Sequence, residues 1–595
     1  MPRPTINTIS LVYAEDPGTY VNTDNPESAK GATERTYNAN GFEPQLDPST
    51  TVNNSNLSWT SARKAQRRYN QYPTSQNYSV FCYIDDWAQY DERYEISIPP
   101  TITPPITSST GGRGADYKWQ DDSAYDKFVL GFSGILGFND ETGSGLNSKL
   151  QQAAFEFGII TANTDEAAAV EKGAMTFSDS WGDVGSYINC GFLGWKSNDM
   201  EFLYNQNEAQ GVLGALCRNM TKPLAFSLGG WTMSWAYSDL CMPENSAYQD
   251  RLVLSINEFL SKFPRFTHID LDWEYPGSAG AGNDSSEYDG DNFATLIEKI
   301  YFGCQVAGGG SIGISIAISA NIATLQLARI AETVTRLAAC GVNFNVMSYD
   351  LFTLSNNEAI NNLGHHTNLW SSTGTSEFSI EAAVDYLLDC GVSPNKIFVG
   401  FAGYTRNARN AEFIEITPLT GTYNTLGLST VGSFEAGVTE WPDLLANYLD
   451  LEGMVNAEPD QANQVQLSST GFVLCTDMEA DADFLYNPTT KLFMSIETPR
   501  TVFNKARYVA EKNLGGLFIW TGDQDSGLLV NAAWEGLGFA PTNTDPFDMT
   551  PYYNITGVRS KLEFDDLIDG LPPIQPPGVI PGLKVPREPQ CTGDH

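Results

Sequence analysis

Asp270, Asp272 and Glu274 stand at i, i+2 and i+4 in the run HIDLDWEYPG, residues 268–277, with Ile269, Leu271 and Trp273 between them. In a β-strand alternate side chains share a face, so this spacing lines three carboxylates on one side and packs the apolar residues on the other. Like charges this close resist joint ionisation, which raises at least one pKa and keeps a carboxylic acid protonated near neutral pH. Pro276 and Gly277 end the strand. A carboxylate row at a strand end is suited to general acid and base catalysis.

Such a row needs a scaffold. From about Tyr78, apolar strand-like runs alternate with amphipathic helical stretches. Strands are expected at Ser79–Ile84, Phe128–Ile135, Leu224–Leu228, Thr267–Trp273, Ile312–Ser319, Phe344–Tyr349, Ile397–Ala402 and Gly516–Trp520. Helices are expected at Gln249–Phe263, Phe293–Phe302, Leu325–Ala339, Ile380–Leu388 and Arg500–Lys512. Eight apolar strands alternating with helices predict an α/β fold, a (β/α)8 TIM barrel. Its catalytic groups would sit at the C-terminal strand ends: Asp86 and Trp87 after strand one, Met347, Tyr349 and Asp350 after strand six, Tyr404 and Arg406 after strand seven, Trp520 and Asp523 after strand eight.

The spacing between strands seven and eight is too long for a bare barrel, and predicts an inserted α+β module over residues 407–498, between strand seven and helix seven. The domains expected are an N-terminal extension or small β domain (1–76), the catalytic barrel (77–540) and an irregular Pro-rich C-terminal tail (541–595).

A formal charge of −38 argues against nucleic acid or an anionic membrane as partner, and 41% hydrophobic residues support a large core. No run is long and apolar enough for a membrane span, and the first thirty residues lack a signal-peptide pattern. The nine cysteines have no metal-type spacing and read as reduced, buried thiols. With only four histidines, no metal site is expected, and no cofactor.

Taken together, the residues resemble glycoside hydrolase family 18 chitinases of the deep-cleft subfamily, which carry a chitin-insertion domain. The signature Asp-x-x-Asp-x-Asp-x-Glu, followed by Tyr-Pro, is matched by residues 267–276, except that Thr267 replaces the outermost Asp and His268 the usual Gly. Ser227-Leu-Gly-Gly-Trp231, Met347-Ser-Tyr-Asp350 and Trp520 match further marks in the same order. The resemblance covers about residues 77–540.

It implies hydrolysis of β-1,4-linked N-acetylglucosamine by substrate-assisted retention. Glu274 would protonate the leaving oxygen, and the substrate's own acetamido carbonyl would attack the anomeric carbon. Asp272 would hold the acetamido N–H, Asp270 would share a proton with Asp272, and Tyr349 would donate to the acetamido oxygen. Trp520 would be the sugar floor, with Asp350, Met347, Tyr83, Trp87, Trp231, Trp235 and Tyr404 lining the cleft. Arg406 would bind a sugar or form a surface salt bridge. The Thr267 departure implies altered tuning rather than an inactive site. Two other readings stay open: a chitin-binding lectin with weak catalysis, and an endo-β-N-acetylglucosaminidase. The acidity, the extension and the tail also resemble chitinase subunits of bacterial insecticidal toxin complexes. Either there or as a free enzyme, the protein is expected to act outside the cell on chitin or chito-oligosaccharides.

Overall fold

The computed structural model describes residues 68–75, 77–89, 117, 122–138, 145–187, 190–192, 195–353, 360–373, 378–423, 437–441, 444–445, 448–525 and 527–569. Most of the expected N-terminal extension and the proline-rich residues from 570 onward lie outside them.

Eight strands form the centre: β1 (Ser79–Asp85), β2 (Phe128–Ile135), β3 (Leu224–Gly229), β4 (Phe266–Asp272), β5 (Gly313–Ser319), β6 (Asn343–Met347), β7 (Ile397–Ala402) and β8 (Gly516–Trp520). Each pairs in parallel with the next, and β1 pairs with both β8 and β2, closing the barrel. The strands are nearly uniformly buried because helices cover their outer faces. All eight fall where the apolar runs place them, to within one or two residues. A short strand, Met175–Phe177, adds antiparallel to β2 outside the barrel.

The helices expected at 249–263, 293–302, 380–388 and 500–512 form as Ser246–Lys262, Asp289–Gly303, Ile380–Asp389 and Pro499–Glu511. The run expected as one helix over 325–339 is two, Ile322–Leu327 and Ile330–Ala339. Arg329 between them takes a left-handed φ of 55°, which breaks the helical path.

Between β7 and the helix Pro499–Glu511 the chain builds the extra module. One antiparallel sheet orders Arg406–Ala408, Leu492–Ile496, Ala482–Asn487 and Val473–Asp477; a second orders Glu412–Ile416 and Leu419–Tyr423, joined by Asn361–Asn362 from the connection between β6 and β7. The residues after 540 are not uniformly irregular as expected. Thr550–Tyr553 and Lys561–Asp569 are helical, and Phe564 packs edge-on to Phe413 of the module at 4.9 Å. That buried contact supplies the apolar area a lone nine-residue helix lacks. On the opposite terminus, Tyr72 stacks on Trp534 at 5.7 Å, and the Asn531 side chain accepts from Asn70 N–H. No helix among the described residues is long and apolar enough to cross a membrane.

Candidate active site

Inward-facing residues alternate along the strands, so the interior fills in layers. In the lowest layer Phe81 stacks on Phe518 at 5.4 Å and meets Phe398 edge-on at 5.5 Å. Above it Asp270, fully buried, collects four donors from four other strands. Tyr83 Oη and Ser227 Oγ each donate to Oδ2 at 2.9 Å; Ser315 Oγ at 2.6 Å and Asn345 Nδ2 at 3.1 Å donate to Oδ1. Burial raises the Asp270 carboxyl, and the Ser315, Ser227 and Tyr83 hydroxyls oppose that rise.

Two residues up β4, Asp272 is 3% exposed, and its Oδ1 has no hydrogen-bond partner among the described residues. Its carboxyl is pushed well above the usual range by burial, then by the charges of Glu274 and Asp270. Glu274 tops the column at 8% exposure and is pushed up to about 7 by burial, with Tyr275 opposing and Asp350 adding to the rise. Ser234 steadies this strand end: its hydroxyl accepts from Glu274 N–H at 3.0 Å. All three carboxyls are thus shifted upward, chiefly because desolvation disfavours their charged forms.

Tyr349 lies beyond the end of β6, 8% exposed, its ring edge-on to Tyr404 and Phe518 at 6.2 Å each. Gly400 admits this ring: a Cβ there would meet Tyr349 Cε1 at 2.7 Å. Asp350 takes a left-handed φ of 59° and is gripped at two points by Arg406, Nε to Oδ1 and Nη2 to Oδ2 at 2.7 Å each. Burial would raise the Asp350 carboxyl, but Arg406 and His366 outweigh it and hold the group below the usual range. Arg406 is thus engaged within the site, 17% exposed, rather than in a surface salt bridge.

The aromatic residues separate into three groups. Trp520 at the end of β8 is half-buried and stacks on Phe132 at 5.4 Å, and Phe132 stacks on half-buried Trp87 at 6.2 Å, so the three rings make one continuous strip. Trp231 is separate, on the rim after β3 and 50% exposed. Tyr83, Tyr404 and Trp235 are buried; Met347 is partly buried against the same interior cluster as Tyr83. Tyr83, expected on the sugar surface, lies beneath the acids with its hydroxyl spent on Asp270. His268 is packed under the column, its Nδ1 2.8 Å from Thr267 Oγ1.

Sequence reasoning missed Phe132, Ser315, Asn345 and His366. Ser315 and Asn345 occupy inward positions of apolar strands, where a small polar residue is unusual, and that was the available signal. Phe132 looked like core, and His366 beside Asp350 required the tertiary structure. Among the described residues no three His, Cys, Asp or Glu side chains converge as metal ligands.

A buried carboxylate column facing a tyrosine, beside an aromatic strip, suits acid–base attack on a neutral, ring-shaped substrate. The family model for glycosyl hydrolases family 18 matches residues 79–525. Chitinase 1 of Yersinia entomophaga is 38% identical over 98% of this chain and 98% of that protein. Chitinase 2 of the same organism is 35% identical over 88% of this chain and 80% of that one. Among solved structures, a chitinase fitted into the 3D structure of the Yersinia entomophaga toxin complex superposes with a TM-score of 0.73 at 37% identity, covering 90% of this chain and 98% of that one. A Bacillus thuringiensis chitinase at 21% identity, covering 79% of this chain and 71% of that one, shares the fold with a TM-score of 0.58.

Proposed function

This chain belongs to glycosyl hydrolases family 18, and from that premise we propose that it is a chitinase that cuts β-1,4-N-acetylglucosamine linkages by substrate-assisted retention. The observation that carries the reading is the column Asp270–Asp272–Glu274, closed by Tyr349 and set beside Trp520. Glu274, holding a proton near neutral pH, donates it to the leaving glycosidic oxygen. The C–O bond breaks as the acetamido carbonyl oxygen bonds to the anomeric carbon. Asp272, whose Oδ1 has no partner among the described residues, accepts from the acetamido N–H and offsets the positive charge of the oxazolinium ring. Asp270, fixed by its four donors, keeps Asp272 oriented. Tyr349 donates to the acetamido oxygen. Glu274, now ionised, takes a proton from the water that opens the ring, which restores both groups.

Trp520 stacks under the reacting sugar, with Phe132 and Trp87 continuing the apolar strip and Trp231 meeting the substrate at the rim. Asp350, Met347 and Tyr404 line the wall, and Arg406 holds Asp350. The intact Glu274 favours an enzyme over a lectin, and the module over 407–498 favours a polymer cleft over an endo-β-N-acetylglucosaminidase. Near-full-length likeness to Chitinase 1 supports a further reading, that the protein is a subunit of a toxin assembly acting outside the cell.

The test is release of reducing ends from a chitin hexamer. The parent cleaves it, and Glu274→Gln loses activity by about three orders of magnitude or more. Equal turnover by the variant would sink this reading.

A further inference from the structure

Two adjacent residues, His366 and Thr367, hold both ends of the turn that carries Tyr349 and Asp350. β6 ends at Met347, so the sheet does not fix the chain beyond it. Ser348 O accepts from the Thr367 hydroxyl at 3.0 Å, and Leu351 N–H donates to His366 O at 3.1 Å. Between these two bonds Asp350 takes its left-handed φ of 59°. That conformation is costly for a residue with a side chain and persists only where the surroundings impose it.

The two holding residues are themselves anchored. His366 N–H donates to Ser495 Oγ at 3.0 Å, and Ser495 lies on the module strand opposite Arg406. The Thr367 side chain is buried at the junction of three groups. Its Oγ1 accepts from Lys505 Nζ at 2.7 Å. Its one proton is directed between Ser348 O, at 3.0 Å, and Glu497 Oε1, at 2.9 Å. Lys505 is also paired with Glu497 Oε1, and Thr501 Oγ1 donates to Glu497 Oε2 at 2.6 Å. Both carboxylate oxygens thus have a donor other than Thr367, so loss of the hydroxyl falls chiefly on the Ser348 carbonyl.

We propose that Thr367 is a positioning residue for the reaction: seated on the buried Lys505–Glu497 pair, its hydroxyl holds the Ser348 carbonyl and so sets where Tyr349 and Asp350 stand against the carboxylate column. Threonine suits the place because a hydroxyl both accepts from an ammonium and donates to a carbonyl, which valine of the same shape cannot do. Thr367 acts through the backbone of one turn and meets neither substrate nor reacting atoms. A misplacement of about 1 Å at a group that stabilises developing charge can cost about a hundred-fold in rate. This inference rests on the family 18 reading of the site, and adds to it the link by which the last residues of the module and the helix Pro499–Glu511 bear on Tyr349.

The test is steady-state kcat and KM on a soluble chito-oligosaccharide for Thr367→Val and Thr367→Ser, with folding checked by circular dichroism and assays run well below each melting temperature. Thr367→Val keeps the shape and removes the hydroxyl, so kcat falls by about ten-fold or more while KM stays within about three-fold. Thr367→Ser restores a hydroxyl and returns kcat to within about three-fold of the parent. A merely structural role would lower the melting temperature of the Val variant and leave kcat unmoved, and that outcome would overturn the proposal. A folded Ser variant as slow as Val would overturn it as well. Should Thr367→Val not fold, Thr367→Cys takes its place under the same expectation, because a thiol of similar size is a weak donor. An inactive parent would instead overturn the functional reading, so the two failures are distinguishable.

Discussion

Tyr83 of β1 donates its hydroxyl to Asp270 Oδ2 of β4 at 2.9 Å, and accepts from Asn345 Nδ2 of β6 at the same distance. One phenol thereby joins three non-adjacent strands across the barrel interior. It also fixes the carboxylate beneath Asp272, so under the proposed mechanism a residue remote from the sugar controls one that would meet it.

Replacing that phenol therefore affects turnover more than binding. Tyr83→Phe removes one charge-assisted hydrogen bond while Ser227, Ser315 and Asn345 still hold Asp270. Such a bond is worth about 1.5–3 kcal/mol, so kcat falls by about ten-fold or more with KM within about two-fold. Steady-state kinetics on a chito-oligosaccharide decide the matter; an unchanged kcat contradicts the role.

The carboxyl shifts set the pH profile. Glu274 must carry a proton to act as acid, and burial pushes its carboxyl up to about 7. Activity is then lost as pH rises through about 7. At the other limb one aspartate must ionise, and burial raises both, so activity is lost above the ordinary carboxylate range as pH falls. The profile of kcat/KM is a bell. A profile flat up to about pH 9 would contradict the assignment of the acid.

Much of this was legible in the sequence. The barrel strands are near-continuous apolar runs, the trace that buried parallel strands leave, and Asp85, Asp272 and Trp520 stand at the ends of three of them. The acid column was legible because a period of two needs no tertiary information. What eluded reading depends on register between distant strands. Nothing local says that Tyr83 reaches Asp270, or that Phe132 joins Trp520 to Trp87. The break at Arg329 carries no glycine signal, and the helix Lys561–Asp569 is stable through Phe564 meeting Phe413, a partner some 150 residues away.

A buried ion pair joins the last residues of the module to the barrel helix that follows them. Lys505, on the helix Pro499–Glu511, pairs with Glu497, and both are fully buried; the Thr367 hydroxyl donates to Glu497 Oε1 at 2.9 Å. Lys505→Met leaves Glu497 charged and unpaired, which costs about 3–5 kcal/mol. The double variant with Glu497→Gln recovers a large part of that loss. Thermal melts of both variants test the coupling; a single variant as stable as the parent would contradict it.

The central claim is that the substrate's acetamido group, not a water, is the first nucleophile at the anomeric carbon. Its most direct test is the anomeric form of the first products released from a chitin hexamer, followed by proton NMR before mutarotation. Two successive inversions at one carbon predict the β anomer first. The α anomer appearing first would mean that water attacks directly, and would contradict the roles assigned to Asp272 and Tyr349.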